Sequence, residues 1–308
     1  MNQIKEPLLS VIIVNYNSSN YLKSCLNSIA KKFQNINYEV IVIDNASEKE
    51  KILSSLSQEY NFLKIIRNQK NFGFAKANNQ GIKIAKGKYI FLLNPDTVIL
   101  NTGINELINF LEENPKIGII GPKILNSDLS FQYQCKRGWP TFWNAFTYLT
   151  KLYKLFPKNK KWQKIFGGYF LLEKDQNQIQ KVDQVSGAAM IVRKEVFDKI
   201  GYLNEDYFLY WEDSDFCFRA QLAGFEIYYH PFLEIIHYGG KGGTQRQPFR
   251  NLWYFHRGLY IFYRKYLAKR KLFLVNWLYY FSIFAVFLLK LLLNLFRKKK
   301  IIGSLKPE

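Results

Sequence analysis

The 308-residue sequence predicts an α/β protein: a mixed, mainly parallel sheet with flanking helices, followed by C-terminal hydrophobic helices that associate with a membrane. Three observations carry this reading. Short apolar runs alternate with amphipathic stretches over the first 125 residues. Those runs are continuous rather than alternating, as in strands buried on both faces. Leu272–Leu289 is an uncharged stretch inside a segment that contains no acid.

In chain order, LLSVIIV (8–14), YEVIVID (38–44), FLKIIR (62–67), KYIFLL (88–93) and IGIIG (117–121) read as strands. Residues 19–32, 47–59, 74–86 and 103–113 between them have helical periodicity, and this alternation is a βαβ signature. Ligands of such sheets sit beyond the carboxyl ends of the strands. Four polar clusters fall there: Asn15–Asn17, Asp44–Ser47, Asn71–Gly73 and Asn94–Asp96. Beyond 126 the pattern is mixed. Residues 139–170 are rich in aromatics and lysine, with Pro140, Pro157 and the Gly167-Gly168 pair interrupting any long helix. VSGAAMIVRKEVFDKIG (185–201) reads as strand then helix, closed by Gly201. A loop then enters a helix starting near Asp213, and EIYYHPFLEIIHYGG (226–240) reads as two short strands.

At about 1.5 Å per residue, 272–296 covers roughly 37 Å, enough to cross a bilayer core of about 30 Å. Asn276, Ser282, Lys290 and Asn294 are polar interruptions that suit an interfacial helix, and a buried helix of the core is the third reading. Basic residues on both sides leave the orientation open.

Composition excludes several classes. With 48% hydrophobic and 17% aromatic residues, the chain can offset its ordering entropy, so disorder fails as a description. Three scattered cysteines (Cys25, Cys135, Cys217) make neither a disulfide scaffold nor a zinc knuckle. The net charge of +20 is confined to two segments: 241–300, with 14 Lys and Arg and no acid, and 151–164, with six Lys and no acid. A nucleic-acid binder would not partition its charge this way, whereas a neutral body on a basic, aromatic membrane foot would. The N-terminus carries an acid and a proline before its first apolar run, which is unlike a signal peptide. The cytoplasmic face of the cell membrane is the location expected.

Three segments carry candidate chemistry. Asn94-Pro95-Asp96 puts a carboxylate past a strand end, placed to hold a divalent cation on a diphosphate; its plain alternative is a turn that starts the next helix. Tyr210–Asp215 holds three carboxylates in four positions, so repulsion raises the pKa of at least one toward that of a general base. Trp211 beside them offers a face for a sugar. Ordinary helix capping by Asp213 or Ser214 is the alternative. His237–Thr244 surrounds Lys241 with four glycines, a loop able to close over a diphosphate, with His237 as a metal ligand; a structural His and a linker are the alternative. The spacing is not that of a nucleoside-triphosphatase loop.

In order, SVIIVNYN, VIVIDNAS, NFGFAKANNQGIKIAKGKYIFLLNPD, VSGAAMIVRKEVF, GYLNEDYFLYWEDSDFCFRAQLAGF and IIHYGG resemble family 2 glycosyltransferases, and their rhamnosyltransferase-like branch in particular. The resemblance runs from Ser10 to about Thr244. It implies the Rossmann-like GT-A fold, with a nucleotide-sugar-binding half (1–125), an acceptor-binding half (126–246) and a membrane-associated tail (247–308). It also implies roles. Asp44 matches the acid that bonds the donor's pyrimidine, with Asn15, Asn17, Asn71, Gly73, Asn94 and Lys241 around the nucleotide diphosphate. Asp96 matches the last acid of the DxD motif, holding Mg²⁺ or Mn²⁺ with His237 as a second ligand. Asp213 matches the catalytic base with Glu212 as runner-up, and Gly187, Ala188 and Trp211 line the acceptor. Asn94 replaces the first DxD acid, and Asn204-Glu205 replaces the usual Asp-Glu. The function expected is inverting, metal-dependent transfer of a sugar from a nucleotide-diphosphate donor (dTDP-rhamnose or a UDP-sugar) to a lipid-linked cell-surface glycan at an anionic membrane. A catalytically silent sugar- or nucleotide-binding protein with the same fold is the alternative.

Overall fold

The computed structural model describes residues 6–48, 56–155, 159–240 and 248–296. The first half is built as its apolar runs require. Strands β1 (Leu9–Asn15), β2 (Tyr38–Asp44), β3 (Leu63–Arg67) and β4 (Tyr89–Leu93) lie parallel in the order β3-β2-β1-β4. All of β1 and β4 is buried, so both faces need apolar side chains and the sequence has no polar alternation. Helices α1 (Ser19–Lys32) and α2 (Phe74–Ile84) connect them. Gly81 lets α2 approach β1: a Cβ there would lie 2.6 Å from the Ile12 side chain. Of the helix expected over 47–59, residues 56–59 are helical, Ser47 and Glu48 are not, and 49–55 lie outside the described residues.

The second half completes the same sheet rather than forming one of its own. A three-residue strand β5 (Thr97–Ile99), helix α3 (Ile104–Glu113) and strand β6 (Ile117–Leu125) follow β4. Strand β10 (Ala189–Arg193) then inserts antiparallel between β4 and β6. Beyond β6 lies β11 (Glu226–His237), parallel to it, and β5 closes the edge antiparallel to β11. The two short strands expected over 226–240 are thus one strand, with an irregularity between His230 and Glu234 where Pro231 cannot donate to the ladder. Short strands β7 (Lys136–Arg137) and β9 (Gln184–Val185) pair with each other, and β8 (Gln180–Lys181) pairs with β11.

Between β7 and β8, α4 (Phe142–Thr150) and α5 (Lys160–Phe166) form a hairpin; Pro140 precedes the first helix, Gly167 caps the second, and Pro157 lies outside the described residues. Helix α6 (Lys194–Ile200) ends at Gly201, whose φ of 75° suits the glycine. Helix α7 (Glu212–Leu222) follows. Helix α8 (Pro248–Phe262) packs on the body through a second cluster of Tyr207, Trp211 and Phe262. Of the C-terminal helices, only α9 (Phe273–Phe296) is long and apolar enough to cross a membrane among the described residues. Just 11% of its apolar window is buried, unlike the helix of a soluble core. A Tyr263–Tyr279 ring stack at 3.7 Å and a Tyr263 hydroxyl bond to Asn276 Oδ1 at 2.7 Å join it to the segment just after α8.

Candidate active site

The β1–β2 register places Asn15 directly beside Asp44 at the carboxyl edge of the sheet. Asp44 Oδ1 accepts from Asn15 Nδ2 at 2.9 Å and from the Ser47 hydroxyl at 2.5 Å. Asn17, at φ 53°, donates its backbone N–H to Ser47 Oγ and accepts from the Glu48 N–H. Asn45 joins this cluster to the next: its amide donates to Asn71 Oδ1 at 2.8 Å and its carbonyl oxygen accepts the Phe72 N–H at 3.0 Å. Gly73 has φ 86°, and a Cβ on it would lie 2.7 Å from the Phe208 carbonyl oxygen. That position requires glycine, and the contact holds the 71–74 loop against the chain leading into α7.

Beyond β4, antiparallel pairing sets His237 against Thr97 and so brings the ring to Asp96. His237 Nε2 lies 3.4 Å from Asp96 Oδ1 and 3.2 Å from Asn94 Nδ2. On its other side, Nδ1 is 2.9 Å from Gln132 Oε1. Gln132 uses its amide hydrogens on Asn126 Oδ1 (3.0 Å) and the His237 carbonyl (3.4 Å), which leaves Oε1 as an acceptor. The Nδ1–H therefore donates to Gln132, and in the neutral imidazole Nε2 then presents its lone pair toward Asn94 and Asp96. Asn94 Oδ1 is buried without a hydrogen-bond partner. A carboxylate oxygen and an imidazole lone pair face each other here with an unsatisfied carbonyl beside them. This donor set fits a hard or borderline divalent cation. Among the described residues no three His, Cys, Asp or Glu side chains gather as a metal cluster, so the chain would supply a partial coordination shell.

The third group sits at the start of α7. Trp211, at φ 75°, precedes the helix, and Asp213 lies in its first turn. Asp213 Oδ2 accepts from the Gly187 N–H (3.0 Å) and Arg137 Nη2 (2.6 Å), while Oδ1 accepts the Ser214 N–H (2.7 Å). The Ala188 carbonyl in turn accepts the Asn94 N–H at 2.8 Å. One turn, Gly187-Ala188, thus ties Asp213 to the Asn94–Asp96 loop. A Cβ on Gly187 would stand 3.3 Å from that of Asp213, so a larger residue there would press on the Asp213 side chain.

The clustered acids are sorted by their partners. Burial, then the neighbouring Asp213 charge, pushes the Glu212 carboxyl up to about 8, and its Oε2 has no hydrogen-bond partner. The raised carboxyl expected of this cluster is therefore Glu212, whereas Asp213 is ion-paired. Asp215 is structural: it accepts from Arg219 Nε (2.7 Å), Lys265 Nζ (3.1 Å) and the Tyr266 hydroxyl (2.7 Å).

Trp211 requires a correction. It is 6% exposed and packs on Phe255 and Phe262 instead of presenting a face to a sugar, because α8 covers it at Gly258. Lys241 lies outside the described residues. Asn15, Asn17, Asp44, Asn71 and Gly73 form one connected group, and Asn94, Asp96, His237, Gly187, Ala188, Asp213 and Glu212 gather beyond β4 and β10. Sequence reasoning missed Gln132 and Arg137, which sit in an irregular stretch with no periodicity to mark them.

The family model described as glycosyl transferase family 2 matches residues 10–201. The low-salt glycan biosynthesis hexosyltransferase Agl10 of Haloferax volcanii is 28% identical over 74% of this chain and 66% of its own length. Two further curated relatives are matched over 24% and 42% of theirs. The N-acetylglucosaminyl-diphospho-decaprenol L-rhamnosyltransferase of Mycobacterium tuberculosis is 26% identical over 83% of each chain. Among solved structures, a mannosyltransferase from Pyrobaculum calidifontis in complex with GDP-Man and Mn²⁺ aligns with a TM-score of 0.56 and 14% identity over 85% of this chain and 65% of that one. The architecture is GT-A, and with its model covering most of the chain from Ser10 to Gly201, the chain belongs to glycosyl transferase family 2.

Proposed function

We propose that the protein transfers a sugar, with inversion, from a nucleotide-diphosphate donor to a hydroxyl of a lipid-linked cell-surface glycan. The observation that carries this is the convergence of three groups on one sheet edge, two of them tied by the Gly187-Ala188 turn. Asp44, held by Asn15 and Ser47, offers its carboxylate to the pyrimidine of a dTDP- or UDP-sugar. Asp96 and His237 would hold Mg²⁺ or Mn²⁺, which when bound supplies positive charge to the leaving diphosphate. Asp213 is the base. The acceptor oxygen forms a bond to the anomeric carbon as the carbon–oxygen bond to the diphosphate breaks. The hydroxyl proton passes to the Asp213 carboxylate, and the diphosphate leaves with the bonding electron pair.

Arg137 must yield Oδ2 of Asp213, at least in part, as the acceptor hydroxyl arrives. That ion pair is also what favours the second reading, a binding protein that keeps the fold without turnover. Exposed α9 supports residence at a membrane, where a lipid-linked acceptor is concentrated. The test is Asp213→Asn, assayed with dTDP-rhamnose and UDP-sugars on lipid-linked acceptors. The variant keeps an oxygen for Arg137 and for the Gly187 N–H and loses only the acceptor of the Ser214 N–H, and an unchanged circular dichroism spectrum checks that it folds. Transfer falls by at least about 100-fold. Undiminished transfer removes Asp213 as the base; donor binding without any transfer by the wild type supports the second reading.

A further inference from the structure

The α4–α5 hairpin presents a surface that the transferase reading does not use. Phe142, Trp143, Phe146, Leu155, Trp162 and Ile165 all stand exposed on it, Leu155 at 64%. They are not scattered. Trp143 stacks on Phe146 at 5.8 Å and reaches Phe166 at 5.7 Å, and Phe166 stacks on Trp162 at 5.5 Å. Around this aromatic ridge, Lys151, Lys154, Lys160, Lys161 and Lys164 are exposed, and residues 151–164 contain no acid. Soluble monomers rarely leave such a ridge in water. Aromatic rings bordered by lysines, with no carboxylate to repel a phosphate, complement the headgroup layer of an anionic bilayer.

The hairpin also adjoins both α9 and the base. Lys151 is near enough to Lys290 on α9 for their charges to repel, and Trp139 stacks on Phe262 of α8 at 6.1 Å. On the inner side, the Gly138 N–H donates to the Tyr169 carbonyl at 2.9 Å, and Asn144 Nδ2 donates to the Trp139 carbonyl at 2.9 Å. The residue before Gly138 is Arg137, the partner of Asp213.

We propose that residues 142–155 and 159–166 form a second lipid-contact surface, whose partner is an anionic phospholipid bilayer, and that it sets the Asp213 side of the cleft against the membrane. The proposal rests on the reading of α9 as membrane-associated and extends it. One helix leaves the body free to swing about its attachment, whereas two contacts fix how the cleft meets the bilayer.

The test uses the full chain in nanodiscs of phosphatidylcholine with or without phosphatidylglycerol. An environment-sensitive fluorophore is attached through Leu155→Cys or, separately, Leu289→Cys on α9; the three native cysteines are buried. Brominated lipid is expected to quench both labels in discs containing phosphatidylglycerol. Quenching at 155 falls at least about threefold in phosphatidylcholine alone and in K160E/K161E/K164E, while quenching at 289 persists. Quenching at 289 with none at 155 overturns the hairpin proposal and leaves the α9 reading standing. Quenching at neither position overturns both.

Discussion

Asp213, Glu212 and Asp215 lie within four positions of the chain, yet each meets a different environment. Asp215 is fixed by a guanidinium, an ammonium and phenols, Asp213 by Arg137, while Glu212 is buried beside the Asp213 charge. Burial holds the Glu212 carboxyl at about 8, against 4.5 when free. The folded protein therefore keeps a proton that the unfolded chain gives up as pH rises past 4.5. Stability linked to this group is complete below 4.5 and is lost as pH rises through about 8. Glu212→Gln removes that dependence. Its melting temperature should exceed that of wild type by about 4 °C or more near pH 9, with the difference shrinking toward about pH 5. Because Glu212 is protonated at neutral pH, the same variant should retain transfer there, in contrast to Asp213→Asn. Gln132 gives a third expectation at this scale. Gln132→Leu releases the His237 tautomer, and Mn²⁺ affinity measured by titration calorimetry should fall about 10–100-fold. The candidate carboxylates were legible from their spacing and family resemblance. Gln132 and Arg137 were not, since each acquires its role from a partner 105 and 76 positions away.

Elements show the same division between local and distant information. Strands β1 to β4 and helices α1 to α3 follow from apolar runs and periodicity, and their observed bounds differ from the expected ones by a residue or two. Strand β5, three residues long, carries too short a pattern to register, although its pairing with β11 is what delivers His237 to Asp96. The insertion of β10 between β4 and β6 is likewise a tertiary fact; its sequence marks a buried strand but no direction. Trp211 was misplaced for a related reason. An aromatic beside acids suggests a sugar contact, and only the docking of α8 reveals that the ring is covered. That docking depends on Gly258, where a Cβ would lie 2.6 Å from Trp211 Cδ1. Gly258→Ala should cost about 1–3 kcal/mol in chemical denaturation, by forcing α8 away from the body. An unchanged midpoint would mean that the α8 contact contributes little.

At the scale of the whole molecule, charge and apolar surface are segregated. The sheet edge carries the polar clusters, while the acid-free segments coincide with the hairpin and the C-terminal helices. This partition was visible in the sequence; the proximity of the hairpin to Arg137, and so to Asp213, was not. On the function proposed, one sheet edge would hold both a pyrimidine diphosphate and the cation that neutralises it. A thermal-shift series with UDP, dTDP, GDP and ADP, each with Mn²⁺ or Mg²⁺, on wild type and Asp96→Ala, tests this most directly. Metal-dependent stabilisation by a pyrimidine diphosphate, over GDP and ADP, is expected, with weakening in Asp96→Ala. No shift with any of the four at millimolar concentration, or a shift indifferent to both the metal and Asp96, would contradict it.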